Sequence, residues 1–347
     1  SYGVVSGWVF GNDGYMGTAI TKRGNKKLTW ETTSEFNIGL DLGFFDNRIS
    51  LSMEYYNRII SDLLVSNKSL PAYNEINTIA ANIGKTQGRG FELTLSTVNI
   101  MNKDWTWSTD FTFYTFKDNW YERDPNWKPA AYESKKDPIR SYYSYVSDGL
   151  LQVGEKAPAW QPTLVPGQIK LKNLYDTGTS PNVLDQYDKV NLGSQDPKCT
   201  LGLNNTLRYK NLDFNIYFYG EIGRLRGASY YDAWIVGLGN SLTNVSQQSL
   251  HSYTNANQNT TVPNLIESAY DFGDYYHKKI NYLRCRNITL GYTIPVSKSI
   301  ANSVRISANV SNPFVFTNWN GVDPETDTGN FSYPNVTSFS FGIDISF

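Results

Sequence analysis

Residues 28–44 read LTWETTSEFNIGLDLGF, and they decide the fold. The even positions are Leu28, Trp30, Thr32, Ser34, Phe36, Ile38, Leu40, Leu42 and Phe44. The odd positions are Thr29, Glu31, Thr33, Glu35, Asn37, Gly39, Asp41 and Gly43. One face is mostly apolar and the other carries no large apolar group. Period two belongs to a strand with one dry face and one wet face. At about 3.3 Å per residue the strand reaches about 56 Å, whereas globular strands usually hold about 5–6 residues. Such length and regularity suit a barrel wall that crosses a bilayer and extends beyond it.

The alternation returns along the chain. Ile49, Leu51, Met53 and Tyr55 oppose Ser50, Ser52 and Glu54 after a turn at residues 45–47. Phe91, Leu93 and Leu95 form the next stripe, followed by Trp105, Trp107, Phe111 and Phe113. Further stripes are Leu201, Leu203 and Leu207; Leu212, Phe214, Ile216 and Phe218; Ile288, Leu290, Tyr292 and Ile294; and Val304, Ile306, Ala308 and Val310. The last stripe is Phe339, Phe341, Ile343, Ile345 and Phe347. That makes nine strands. Short turns are expected near 45–47, 100–104, 210–211 and 295–301, and long loops near 65–82, 119–195, 223–278 and 318–334. Outer-membrane barrels sort their connections this way, with short turns on the periplasmic side and long loops outside. The fold class is therefore an all-β antiparallel transmembrane barrel.

Composition agrees. Of 347 residues, 40% are hydrophobic, 18% charged and 15% aromatic, with 25 Tyr and 9 Trp. Mean hydropathy is nonetheless -0.44, as expected when lipid-facing and water-facing residues alternate. The 31 Lys+Arg and 32 Asp+Glu nearly cancel, which argues against nucleic acid as a partner. No apolar run reaches the length of a transmembrane helix. Nine is an odd number, and an open set of strands leaves two edges unpaired in lipid. The chain is thus expected to be one portion of a single larger barrel domain, with residues 1–27 as the tail of a loop.

Several segments resemble SusC/RagA-type TonB-dependent transporters of Bacteroidota. They are LTWETTSEFNIGLDLGFFDNRISLSMEYY at 28–56, DLL at 62–64, NIGKTQGRGFEL at 82–93 and WSTDF at 107–111. SDGL at 147–150, GSQDPK at 193–198, LNNT at 203–206, LRCRNITLGYTIP at 283–295 and DPE at 323–325 continue the likeness in order. The resemblance implies a 22-stranded barrel with an N-terminal plug, of which this chain supplies about the last nine strands. It implies energy from TonB, a SusD-like surface lipoprotein as lid, and a place among outer-membrane lipids of a Gram-negative bacterium. It also implies that Phe341, Ile343, Ile345 and Phe347 form the C-terminal signal read by the barrel-assembly machinery. Family members often carry a calcium-like loop; here Asp185 and Asp188 keep only fragments of it, so a solvated loop is the expectation, calcium held by Asp185 and Asp188 is the weaker alternative, and no other cofactor is assigned.

No catalytic constellation emerges, and the chain is read as a non-enzyme. His251 and His277 fall in a long loop, and the glycines of Gly88-Arg89-Gly90 open a strand. Glu31, Glu35 and Asp41 are lumen-facing polar groups that need no special role. Cys199 and Cys285 sit on strands separated by another, so two free thiols are expected. By parity Cys199 faces lipid and Cys285 the lumen, while Arg284 and Arg286 face outward at the outer end of their strand. Trp105 and Trp107 belong to an interfacial girdle. Tyr142, Tyr143 and Tyr145, and Tyr230, Tyr231 and Trp234, are the candidates for contact with a lid or cargo, because rings add contact area at low entropic cost. Packing within the loops is the alternative for them. The leading function is import of bulky nutrients, glycans or peptides. A SusC-like barrel acting as scaffold in a multi-protein complex is the second reading, and a secreted carbohydrate-binding protein the third.

Overall fold

The computed structural model describes every residue except 1, 11–12, 21–23, 70–77, 126–127, 176–181, 228–246, 265–271, 297–301 and 327–332. The chain separates into two units. One comprises residues 1–37, 56–89 and 118–128; the other comprises 38–55, 90–117 and 129–347.

In the first unit, β1 (Tyr2–Phe10) pairs antiparallel with β2 (Asp13–Ile20). Tyr2–Phe10 and Asp13–Ile20 thus form a two-stranded sheet of their own, apart from the nine-stranded one, within the segment expected to be the tail of a loop. A second hairpin joins β5 (Leu64–Ser69) to β6 (Thr78–Asn82) inside the first long loop. The Asn82 amide fixes this region: its Oδ1 accepts the Thr29 N–H at 2.9 Å, and its Nδ2 donates to the carbonyls of Thr29 and Asp62. Glu31 accepts the Leu64 N–H at 2.7 Å. Side chains thus take the backbone and carboxyl groups of residues 29–31. Strand β3 (Thr32–Phe44) accordingly starts four residues later than its alternation suggests and reaches about 43 Å.

The remaining long strands are β4 (Ile49–Ser61), β7 (Lys85–Met101), β8 (Trp105–Glu122), β13 (Cys199–Tyr209), β14 (Leu212–Arg226), β15 (Lys278–Ile294), β16 (Ser303–Thr317) and β17 (Ser338–Ser346). With β3 they form one nine-stranded sheet in the order β17-β16-β15-β14-β13-β8-β7-β4-β3. These are the nine strands read from the sequence. Pairing from β8 to β17 is antiparallel throughout. The sheet is not closed, so β3 and β17 are its edges. Four short connections follow β3, β7, β13 and β15, and four long ones follow β4, β8, β14 and β16, so the two kinds lie at opposite ends of the strands. Among the described residues no helix is long and apolar enough to cross a membrane.

One face of the sheet is apolar. Leu40, Leu290, Ile306, Phe339, Phe341 and Ile343 are all exposed on it. Beside the short turn at 210–211, the Trp105 and Tyr209 rings lie 4.4 Å apart and Trp107 Nε1 donates to Asn205. The opposite face is hydrogen-bonded across strands: Asp110 accepts from Ser96 and Asn204, and Asn215 donates to Asn204 and Thr206. Nearer the short turns, Arg305 reaches over β15 to Asp213 at 2.6 Å. The residue it crosses is Gly291, where a Cβ would collide with Arg305 Nη2 and lie 2.6 Å from Asp213. Glycine leaves the gap that the ion pair fills.

Candidate functional site: the long-loop end

All of the groups described here belong to the second unit. The loops that follow β8 and β14 build a core of their own. Short strands β10 (Ser147–Leu150) and β11 (Ile169–Leu171) pair, and Leu150, Ile169, Leu171 and Tyr253 are buried together. Tyr145, Leu184, Phe272, Tyr275 and Tyr276 pack against them. Gly167, at φ +90°, lets the Tyr253 ring close in; a Cβ there would stand 2.6 Å from Cδ1. The Tyr253 hydroxyl accepts the Val153 N–H at 3.0 Å. The Tyr253 hydroxyl is thus buried with a hydrogen-bond partner, as buried polar groups usually are.

The three tyrosines of the first candidate group enter three environments. Strand β9 (Ser141–Ser144) pairs with β12 (Val190–Ser194), placing Tyr142 opposite Gly193 and Tyr143 opposite Asn191. Tyr142 is 39% exposed and stacks on His277 at 4.3 Å. Tyr143 donates to Asp137 at 2.7 Å; burial, followed by that carboxylate, pushes its pKa well above the ordinary phenol. Tyr145 turns into the loop core, with Lys189 Nζ 5.0 Å above its ring. Tyr230, Tyr231 and Trp234 lie outside the described residues. Asp185 and Asp188 face one another across a single turn. Asp188 is fully buried and accepts the N–H groups of Leu174, Tyr175 and Asp185, while Asp185 accepts from Tyr187. This reciprocal capping box holds the loop with protein donors. Among the described residues no cluster of three or more His, Cys, Asp or Glu could hold a metal.

A lock joins the strands to the last long loop. Arg284 is nearly buried; its Nη2 donates to Asp323 at 2.9 Å and its Nε to Glu325 at 2.6 Å. Arg286 donates to the other Glu325 oxygen and lies 5.1 Å over the Tyr219 ring. Asp323 also accepts the N–H groups of Glu325, Thr326 and Asn335. Burial alone would raise its pKa, but these amides and Arg284 outweigh it and hold the carboxyl below the usual range.

The lock corrects two expectations. Tyr217 pairs with Asn287, but Phe218 pairs with Cys285, so Arg286 is an extra residue in β15. A bulge of one residue reverses the alternation beyond it. Arg284 therefore pairs with Tyr219 and turns to the polar face, and Arg286 follows onto the same ring. Neither faces outward. Cys285 joins Phe218 and Phe314 on the apolar face and not on the lumenal one. Both cysteines are free, and β14 separates their strands. Cys199 pairs with the exposed apolar Ile222, which agrees with its expected face.

At the sheet edge, Phe341, Ile343 and Ile345 alternate along β17 and, with the terminal Phe347, remain exposed between 52% and 88%. Strand β17 has β16 as its one neighbour.

A family described as "TonB dependent receptor-like, beta-barrel" matches residues 3–149. TonB-dependent receptor P3 of Formosa agariphila is 29% identical over 98% of this chain and 36% of its own length. TonB-dependent receptor SusC of Bacteroides thetaiotaomicron is 28% identical over 96% of this chain and 34% of its own. The chain thus spans about a third of the length of these curated relatives. The structure of the RagAB peptide transporter superposes with a TM-score of 0.76 at 24% identity, covering 100% of this chain and 38% of that one. An open antiparallel sheet with one apolar face and sorted connections accords with these matches: the family model covers residues 3–149, and the curated receptors align over nearly the whole chain. The curated proteins it resembles are thus SusC and other TonB-dependent receptors.

Proposed function

We propose that the chain supplies wall and outer loops to an importer of bulky nutrients, glycans or peptides, in the outer membrane of a Gram-negative bacterium. In this reading a plug and further strands of the same transporter complete the barrel, and TonB drives the plug. A SusD-like lipoprotein closes the long-loop end. The observation that carries the reading is the loop core around Ile169 and Leu171: loops with their own packing form a preorganised surface for a lid or cargo. Tyr142, exposed beside that core, is the tyrosine best placed for such contact. The stripe Phe341, Ile343, Ile345 and Phe347, carried along and just beyond edge strand β17, serves as the assembly signal.

The test is purification of the full-length receptor from its native membrane in mild detergent, with mass spectrometry, and uptake by cells lacking its TonB box. Recovery of a SusD-like lipoprotein and loss of uptake are expected. Several unrelated outer-membrane partners, with uptake indifferent to the TonB box, would instead make the barrel a scaffold.

A further inference from the structure

Beside Tyr142 and His277 lies a cavity of about 270 Å³ lined by Arg140, Tyr142, Gln195, Arg224, Leu225, Arg226, Gly227 and His277. Three arginines line one small space, and among the described residues no carboxylate lines it. The acids that pair with two of them stand outside the wall. Asp196 holds Arg140 Nη1 at 2.6 Å, and Glu221 holds Arg224 Nη2 at 2.6 Å. Each arginine has five N–H donors, so these contacts orient the groups without exhausting them. Arg226 donates to the Glu325 carbonyl at 3.0 Å, which ties the cavity to the Arg284 lock. Arg224 Nε is buried and has no acceptor among the described residues. A buried donor without a partner costs about 1–3 kcal/mol, which an acceptor reaching it would recover. Burial, partly offset by Asp274, lowers the His277 pKa. The lowered pKa disfavours an imidazolium, so the permanently charged groups of the lining are the arginines.

We propose that this cavity binds an anionic oxygen group carried by the imported cargo. A guanidinium keeps its charge at any physiological pH and presents N–H donors that match carboxylate, sulfate or phosphate oxygens. The volume lies below the about 300 Å³ at which pockets begin to take drug-sized ligands. The occupant is therefore one acidic residue or end group of a larger molecule, with the Tyr142 ring and Leu225 flanking its apolar part. The role in uptake rests on the import reading above; the binding is measured independently of transport.

Crystals of the full-length receptor are soaked with 4-bromobenzoate, with its neutral isostere 4-bromobenzamide, and with selenate, and bromine or selenium is located by anomalous scattering. Bromobenzoate in the cavity without bromobenzamide assigns a carboxylate, and selenate there assigns a tetrahedral oxyanion. Arg140→Gln removes a half-exposed guanidinium and should weaken the bound anion at least about tenfold in calorimetric titration, corresponding to one charged hydrogen bond. Arg140→Lys should recover part of that loss. Equal occupancy by the amide and the acid, or no density from any probe, overturns the proposal. Uptake that ignores the TonB box, with anion binding intact, removes the import reading alone. Uptake that persists without anion binding removes this inference alone.

Discussion

Strand β17 and the hairpin β10–β11 use the same kind of residue to opposite ends. Phe339, Phe341 and Ile343 are between 69% and 83% exposed, whereas Leu150, Ile169 and Leu171 are 6% exposed or less. The strand has its backbone partner in β16 and leaves its apolar face for lipid. The hairpin lies at the long-loop end, where water replaces lipid, so its apolar side chains must find protein. The sheet is therefore incomplete without a bilayer, while the loops carry a core of the kind found in water-soluble domains. Arg284 lies at the boundary between strand and loop, where β15 meets the last long connection.

Breaking that boundary should have the largest effect. Arg284→Ala leaves Asp323 and Glu325 buried against no guanidinium other than Arg286. Removing one partner of a buried ion pair costs about 3–5 kcal/mol. Proteolysis of folded receptor should then cut within residues 318–337 while the barrel stays intact; an unchanged cutting rate would deny the lock its role. Ile169→Ala comes next, at about 2–5 kcal/mol, read as faster amide exchange across residues 145–172 with outer-membrane yield preserved. Simultaneous loss of both would mean that the loop core and sheet fold as one unit. Two neighbouring residues sharpen the contrast on the sheet itself. Leu40→Arg places charge toward lipid at about 2–4 kcal/mol, whereas Asp41→Arg places it on the polar face. Membrane yield should fall for the first and hold for the second, and equal yields would refute the facing.

The smallest effect concerns pH. Burial lowers the His277 pKa below its ordinary value of about 6.5. The unfolded loop therefore binds a proton more readily than the folded one, and stability is full above about pH 6.5 and declines as pH falls below it. Exchange of amides 272–278, corrected for intrinsic rate, should quicken from pH 7 to pH 5. His277→Phe should flatten that dependence while keeping the stack on Tyr142. A slope unchanged in the variant would assign it to other groups.

Much of the sheet was legible because period two is a local property: each residue's face follows from its neighbours in sequence. All nine strands were read from their stripes, with one start displaced where Asn82 and Glu31 capture residues of the segment before Thr32. The candidate site was far less legible. Tyr142, Tyr143 and Tyr145 read as one cluster, yet they part into a stack, an acid-bonded pocket and a core. Their fates depend on His277, Asp137 and Leu171, and two of these three lie far along the chain.

The sequence by itself determined the strands, their two faces and the sorting of short and long connections, because alternation against lipid and water is written in residue order. Tertiary structure alone decided which way Arg284, Cys285 and Arg286 point. A single unpaired residue in β15 reverses every side chain beyond it, and the register against β14 and β16 reveals it. Register likewise brought Arg140, Arg224 and Arg226 to one cavity. Pairing between distant segments creates such a charge cluster, and no local pattern encodes that pairing.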